Sequence, residues 1–190
     1  LGRLRNIPVV ATFHSKYYDD FYKATRAAVL ANIGVKYVVE FYEHCDEVWA
    51  VSHASAEVLE EYGYRGEIYV MENGTEIRER RACDLEAARA RFCLGSEPVL
   101  LFVGQLNWKK NIANILEACA LLKNQGQPFR LVLAGQGPDE AAIREKGREL
   151  AIGTDMLFTG HITDNALLDG LYQAASLFVF PSVYDTAGPV

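Results

Sequence analysis

Pro98-Val-Leu-Leu-Phe-Val-Gly104 decides the fold. A continuous apolar run between a proline and a glycine makes a strand buried on both faces, and such strands belong to parallel sheets covered by helices on either side. Downstream, 112–124 reads as a helix, 129–134 as a strand, and a helix begins at Pro138, where Asp139 and Glu140 suit a first turn. Residues 156–159 form the next strand, a helix follows Asp164, and 177–180 is a further strand. Steps of roughly 20 to 30 residues are the length of βα units, so this half is a doubly wound sheet.

Upstream the same alternation appears a second time. Residues 7–12 read as a buried strand, 19–44 as a long helical region broken at Gly34, and 47–51 as a strand. Ser52 stands at an N-cap position before a helix over 54–62 that Gly63 ends, and 67–71 is a third strand. The turn dipeptide Asn73-Gly74, the charged segment Arg78-Glu-Arg-Arg81 and a short helix over 85–92 then separate the halves. The expectation is an α/β protein of two parts: 1–75, a linker over 76–97, and 98–190. Both ends of the chain read as cut.

Composition excludes several classes. Half of the 190 residues are hydrophobic and 23% are charged, the balance of a globular protein. A net charge of −6 gives no electrostatic reason to bind nucleic acid or an anionic membrane. Cys45, Cys83, Cys93 and Cys119 have neither metal-ligand spacing nor the density of a secreted disulfide scaffold, which points to reduced thiols in the cytoplasm. His44, Cys45 and His53 lack the further ligands a zinc site needs, and no metal is expected. No run reaches the roughly 18 to 20 apolar residues of a membrane span.

In open parallel sheets ligands gather beyond the carboxyl ends of the strands, so the residues after each strand carry the functional reading. In Gly104-Gln-Leu-Asn-Trp-Lys-Lys110 two lysines stand beside a helix start, where free N–H groups already favour an anion. The alternative is a solvated basic turn. The loop is not a P-loop, because the G-x4-G-K-[ST] pattern is missing. Gly135-Gln-Gly137 matches the first two glycines of a dinucleotide fingerprint, but Glu140 occupies the third position, leaving a tight turn before a helix as the simpler reading. His14 follows the first strand, where a core histidine is the competing reading. Gly160-His161-Ile162 and Pro181-Ser-Val-Tyr-Asp185-Thr-Ala-Gly188 follow later strands.

Taken together, Phe102-Val-Gly-Gln-Leu-Asn-Trp-Lys-Lys110, Leu131-Val-Leu-Ala-Gly-Gln-Gly-Pro138, Phe158-Thr-Gly-His161 and Phe180-Pro-Ser-Val-Tyr-Asp185 resemble the group 1 (family 4) retaining nucleotide-sugar glycosyltransferases in order and spacing. The resemblance implies a GT-B fold of two Rossmann-like domains, the N-terminal, acceptor-side one incomplete and the C-terminal, donor-binding one truncated. It further implies transfer of a sugar from a nucleotide diphosphate carrier to an acceptor hydroxyl, with retention and without metal or other cofactor. His14 and Asp185 take the places of groups near the transferred sugar. Gly104, Gln105, Lys109, Lys110, Gly135, His161, Ile162 and Gly188 fall in the donor-binding loops.

Two departures stand out. Where the family has an arginine that holds the donor phosphates, this chain has Gln105, which donates hydrogen bonds but carries no charge. The second acid of the motif that begins at Asp185 falls beyond Val190, and the 190 residues alone are expected to turn over poorly. The acceptor is left open among glycans, lipid-linked sugars and small molecules. Family members acting on lipid carriers touch the inner membrane face peripherally through the first domain, but the sequence shows no basic amphipathic helix to argue for it. Two rival readings share the architecture: a nucleotide-sugar 2-epimerase, and a degenerate nucleotide-binding fragment without catalysis, suggested by Gln105 and the cut ends.

Overall fold

The computed structural model describes residues 5–74 and 76–182. Asp185 and Gly188 lie outside the described residues. The chain divides into two compact units with the boundary between Glu76 and Ile77.

The first unit holds a parallel sheet of three strands in the order β1 (Val10–Phe13), β2 (Glu47–Ala50) and β3 (Tyr69–Val70). Between β1 and β2 run two helices, α1 (Tyr17–Thr25) and α2 (Ala28–Glu43), and α3 (His53–Glu61) connects β2 to β3. Phe13 is fully buried at the end of β1, with the rings of Tyr17, Tyr42 and Tyr62 edge-on around it at 5.7, 5.8 and 6.0 Å. Such edge-to-face contacts add to the area that each ring buries. Two phenols also reach backbone: the Tyr42 hydroxyl donates to the Thr12 carbonyl at 3.1 Å, and Tyr62 Oη accepts the Tyr18 N–H at 2.9 Å. The stretch between β1 and α1, which carries His14, is fixed at both ends by these bonds.

The break in the long helical region comes at Arg26 and not at Gly34. Arg26 closes α1 in the left-handed conformation with φ 51°, while Gly34 lies inside α2. A Cβ on Gly34 would run into the ring of Phe21, so the glycine serves close packing of α1 on α2. Ser52 caps α3 as the sequence predicts: its hydroxyl accepts the Ser55 N–H at 3.1 Å, and the Ser55 hydroxyl accepts the Ser52 N–H at 3.0 Å.

The second unit is a parallel sheet in the order β6 (Met156–Gly160), β5 (Arg130–Ala134), β4 (Val99–Val103) and β7 (Leu177–Phe178). Alternate residues of each strand feed opposite cores, as the period of two requires. Phe102, Leu131 and Leu133 pack with α5 (Ile112–Asn124) and α6 (Glu140–Glu149) through Ile112, Leu116 and Ile143. Leu101, Val132 and Ala134 pack with α4 (Ala82–Phe92) and α7 (Asn165–Ala174) through Ala88, Phe92 and Leu171. Helices therefore cover both faces. Complete burial of one such leucine contributes about 1.5 to 3 kcal/mol.

The segment expected as a linker supplies α4 to this second core. Its N-terminal approach is held by Arg78, which pairs with Asp169 of α7 at 3.0 Å, and by Arg81, which pairs with the buried Asp84 at 2.8 Å. Gly170 in α7 lies against the Asp84 carbonyl, where a Cβ would not fit.

Candidate functional site

The strand order of the second unit creates the site. From β4 the chain moves to β5 and then β6 on one side, then crosses to β7 on the other, so the loop after β4 stands at a switch point of the sheet. There the neighbouring connections diverge and leave a crevice beyond the strand ends.

Backbone hydrogen bonds join the three loops beyond β4, β5 and β6. Gly104 N–H donates to the Ala134 carbonyl at 2.9 Å, Leu106 N–H to the Gln136 carbonyl at 3.0 Å, and Gly135 N–H to the Gly160 carbonyl at 2.9 Å. Gly135 adopts φ 139°, and a Cβ there would fall on the Gly104 carbonyl; a Cβ on Gly137 would fall on the Leu106 backbone. Both glycines are required by the approach of one loop to the next. This close seam is the physical reason for the Gly135-Gln-Gly137 spacing.

The loop after β4 is folded by its own polar side chains. Asn107 caps a single 3₁₀ turn over Trp108–Lys110, its Oδ1 accepting the Lys110 N–H at 3.2 Å. Its Nδ2 donates to Gln105 Oε1 at 2.7 Å. Asp139, just before α6, accepts the Trp108 N–H at 2.9 Å and donates its own N–H to the Leu106 carbonyl at 3.2 Å. Asn111 then takes φ 55° and turns the chain into α5.

A cavity of about 470 Å³ opens among these loops, lined by Gly104, Gln105, Gly135, Gln136, His161 and Ile162, with Leu168 of α7 on one wall. Gln105 and His161 are exposed at its mouth, and Ile162 is half-buried. Lys110 projects its ammonium over the ring of Phe180 at 5.4 Å, across the switch point between β4 and β7. Phe180 in turn stacks on Phe102 and Phe178 at 5.8 and 6.0 Å. A cation over an aromatic face is drawn to the negative face of the ring. Lys109 is exposed on the same turn.

The structure thus brings Gly104, Gln105, Gly135, His161 and Ile162 to one cavity and sets Lys109 and Lys110 on the turn beside it. His14 is placed in the other unit, exposed at the carboxyl end of β1 directly after buried Phe13. Sequence reasoning did not single out Asn107, Asp139, Gln136 or Phe180. Asparagine ahead of a lysine pair is a capping signal that points to Asn107; the other three act through contacts between separate loops and leave no local pattern. Among the described residues no three His, Cys, Asp or Glu side chains gather as metal ligands, and no helix is long and apolar enough to cross a membrane.

The family model for "Glycosyl transferases group 1" matches residues 87–190, and that for "Glycosyltransferase Family 4" matches residues 1–79. The alpha-monoglucosyldiacylglycerol synthase of Streptococcus pneumoniae is 28% identical over an alignment of 197 residues, covering 99% of this chain and 44% of that protein. Among solved structures, the sucrose-phosphate synthase of Thermosynechococcus elongatus superposes with a TM-score of 0.74 at 25% identity, over 98% of this chain and 48% of that one. HepE of Anabaena, solved with UDP and glucose, superposes with a TM-score of 0.75 at 18% identity over 94% of this chain and 47% of that one, a likeness of fold. The chain spans about half the length of these relatives. With its α/β units, its parallel sheets and a family match over more than half its length, the chain belongs to the group 1 glycosyl transferases.

Proposed function

We propose that the protein is a retaining glycosyltransferase that takes a sugar from a nucleoside diphosphate donor and passes it to an acceptor hydroxyl without a metal ion. The observation that carries this reading is the cavity at the sheet's switch point, walled by Gly104, Gly135 and Ile162, with Lys110 held over Phe180 beside it. Glycine backbone admits close approach of a diphosphate, and the lysine supplies a cation where the charge of the leaving group grows. His161 and Ile162 line the same cavity and are the residues we assign to the nucleoside.

In the reaction, the bond from the anomeric carbon to the diphosphate oxygen breaks, and its electron pair leaves with the nucleoside diphosphate. The acceptor oxygen forms the new bond on the same face. Its proton passes to the departing phosphate. Positioning and electrostatic stabilisation supply most of such catalysis. Lys110, Lys109 and Gln105 take the part that a metal ion plays elsewhere. His14 and Asp185 belong near the transferred sugar, by the family's pattern. HepE was solved with UDP and glucose, which supports a nucleotide sugar as donor. The pneumococcal relative is by name a glucosyldiacylglycerol synthase, so a lipid acceptor is the first to test. Action in the cytoplasm, with peripheral contact at its membrane face, fits that chemistry.

The test is a survey of UDP-, GDP- and ADP-linked hexoses with the protein in its full natural length, read by NMR at the anomeric proton. Product with the donor's anomeric configuration, formed equally in the presence of EDTA, supports the proposal. Inverted product or loss of activity with EDTA overturns the mechanism, and failure to consume any donor overturns transfer itself. Gln105, in a position where the family carries a cation, favours one second reading: nucleotide binding without turnover, which the same survey separates by binding without consumption.

A further inference from the structure

We infer that Asn107 is a positioning residue for the donor diphosphate, holding Gln105 so that its carboxamide presents N–H groups to the ligand; the inference rests on the donor reading above. The argument follows the polarity of a short relay. A backbone N–H only donates, so the Asn107 side-chain atom facing the Lys110 N–H at 3.2 Å is its carbonyl oxygen. The other end of that carboxamide is therefore its NH2 group, which faces Gln105 at 2.7 Å. A donor needs an acceptor opposite, so the Gln105 atom in that contact is Oε1. The NH2 end of Gln105 is thereby turned away from Asn107, on a residue that lines the cavity.

Without such a partner, the glutamine carboxamide is free to turn either end towards the cavity before a ligand arrives, and its oxygen would repel a phosphate. The relay removes that choice. Through Asn107, the obligatory donor at Lys110 N sets the sign of the group that Gln105 offers. The backbone of the same short turn is also closed, with the Asn107 N–H donating to the Gln105 carbonyl at 2.9 Å. The pair thus gives a position without a cation two oriented donors in its place, and hydrogen bonds to charged groups are the stronger ones.

The experiment is a double-mutant cycle on calorimetric affinity, using whichever of UDP, GDP or ADP the wild-type protein binds, and the matching nucleoside as a second ligand. Gln105→Ala removes the donor. Asn107→Ser keeps an oxygen able to cap the Lys110 N–H but loses the carboxamide that reaches Gln105. Each single variant is expected to weaken the nucleoside diphosphate by about tenfold. The double variant should bind no more weakly than Gln105→Ala, and nucleoside affinity should stay at the wild-type value in all three. Wild-type affinity in Asn107→Ser, losses that multiply in the double variant, or equal loss of nucleoside and diphosphate would each overturn the positioning role. A wild-type protein that binds no nucleoside diphosphate overturns the donor reading beneath it, a different outcome from any of these.

Discussion

The carboxylate of Asp139 holds the backbone N–H of Trp108 at 2.9 Å, so the N-cap residue of α6 also fixes the turn that carries Lys109 and Lys110. Replacing it with alanine leaves that N–H without its partner and frees the turn. Asp139→Ala is expected to cost about 1 kcal/mol of stability in urea unfolding. It should also weaken nucleoside diphosphate binding, while Asp139→Asn, which keeps an acceptor oxygen, should lie between the two.

The glycines of the second loop carry a larger effect. At Gly135 a Cβ meets the Gly104 carbonyl in a backbone conformation with φ 139°, and at Gly137 it meets the Leu106 backbone. Neither obstacle is a side chain that can rotate aside. Gly135→Ala is expected to cost about 1 to 3 kcal/mol or more from backbone strain, and to abolish nucleotide binding because the loops after β4 and β5 must separate. Gly126, also at positive φ but with open space around it, should tolerate alanine better; guanidinium melts of the two variants make the comparison.

Burial in the core beneath α5 raises the Cys119 thiol to about 11. The folded protein therefore holds this proton more tightly than the unfolded chain, whose thiol titrates near about 8.5. The stability it contributes is fully present below the unfolded value and is lost as pH rises towards 11. Tyr42, raised chiefly by burial and then by its neighbour Tyr17, acts in the same direction. Melting temperature should fall progressively above pH 9 or so. In the folded state at pH 8, iodoacetamide should label exposed Cys83 and Cys93 well before Cys119, as peptide mass mapping would show.

His14 belongs to the first unit, whereas the residues proposed to hold the nucleotide belong to the second. In the full natural-length protein, His14→Ala is therefore expected to lower kcat by at least about tenfold while leaving the Kd for nucleoside diphosphate unchanged. Equal loss of both would place His14 at the nucleotide and not at the sugar.

Much of this architecture was legible in the residues. Pro98 to Gly104 announces its strand because an apolar run of that length has to be covered on both faces, and the helix read over 112–124 is α5. The capping role of Ser52 is local chemistry and could be read locally. Gly34 was misread as a break because glycine is a poor helix former, yet here packing against Phe21 outweighs propensity. The helix at Ala82–Phe92 looked like part of a linker because its weak amphipathic pattern hides a tight contact at Gly170 with a helix far along the chain. The site divides in the same way. Glycines and lysines after strands could be named from position alone, whereas the Gln105 to Asn107 pair and the Asp139 anchor depend on side-chain geometry that spacing does not encode.

Calorimetric titration of the protein in its full natural length and of its Lys110→Ala variant with UDP, GDP and ADP tests the central claim most directly. The account predicts selective binding of one nucleotide, with affinity falling by about tenfold or more once the cation over Phe180 is removed. Failure of all three to bind, or binding that Lys110→Ala leaves unchanged, would contradict the placement of the donor diphosphate at the switch point of the second sheet.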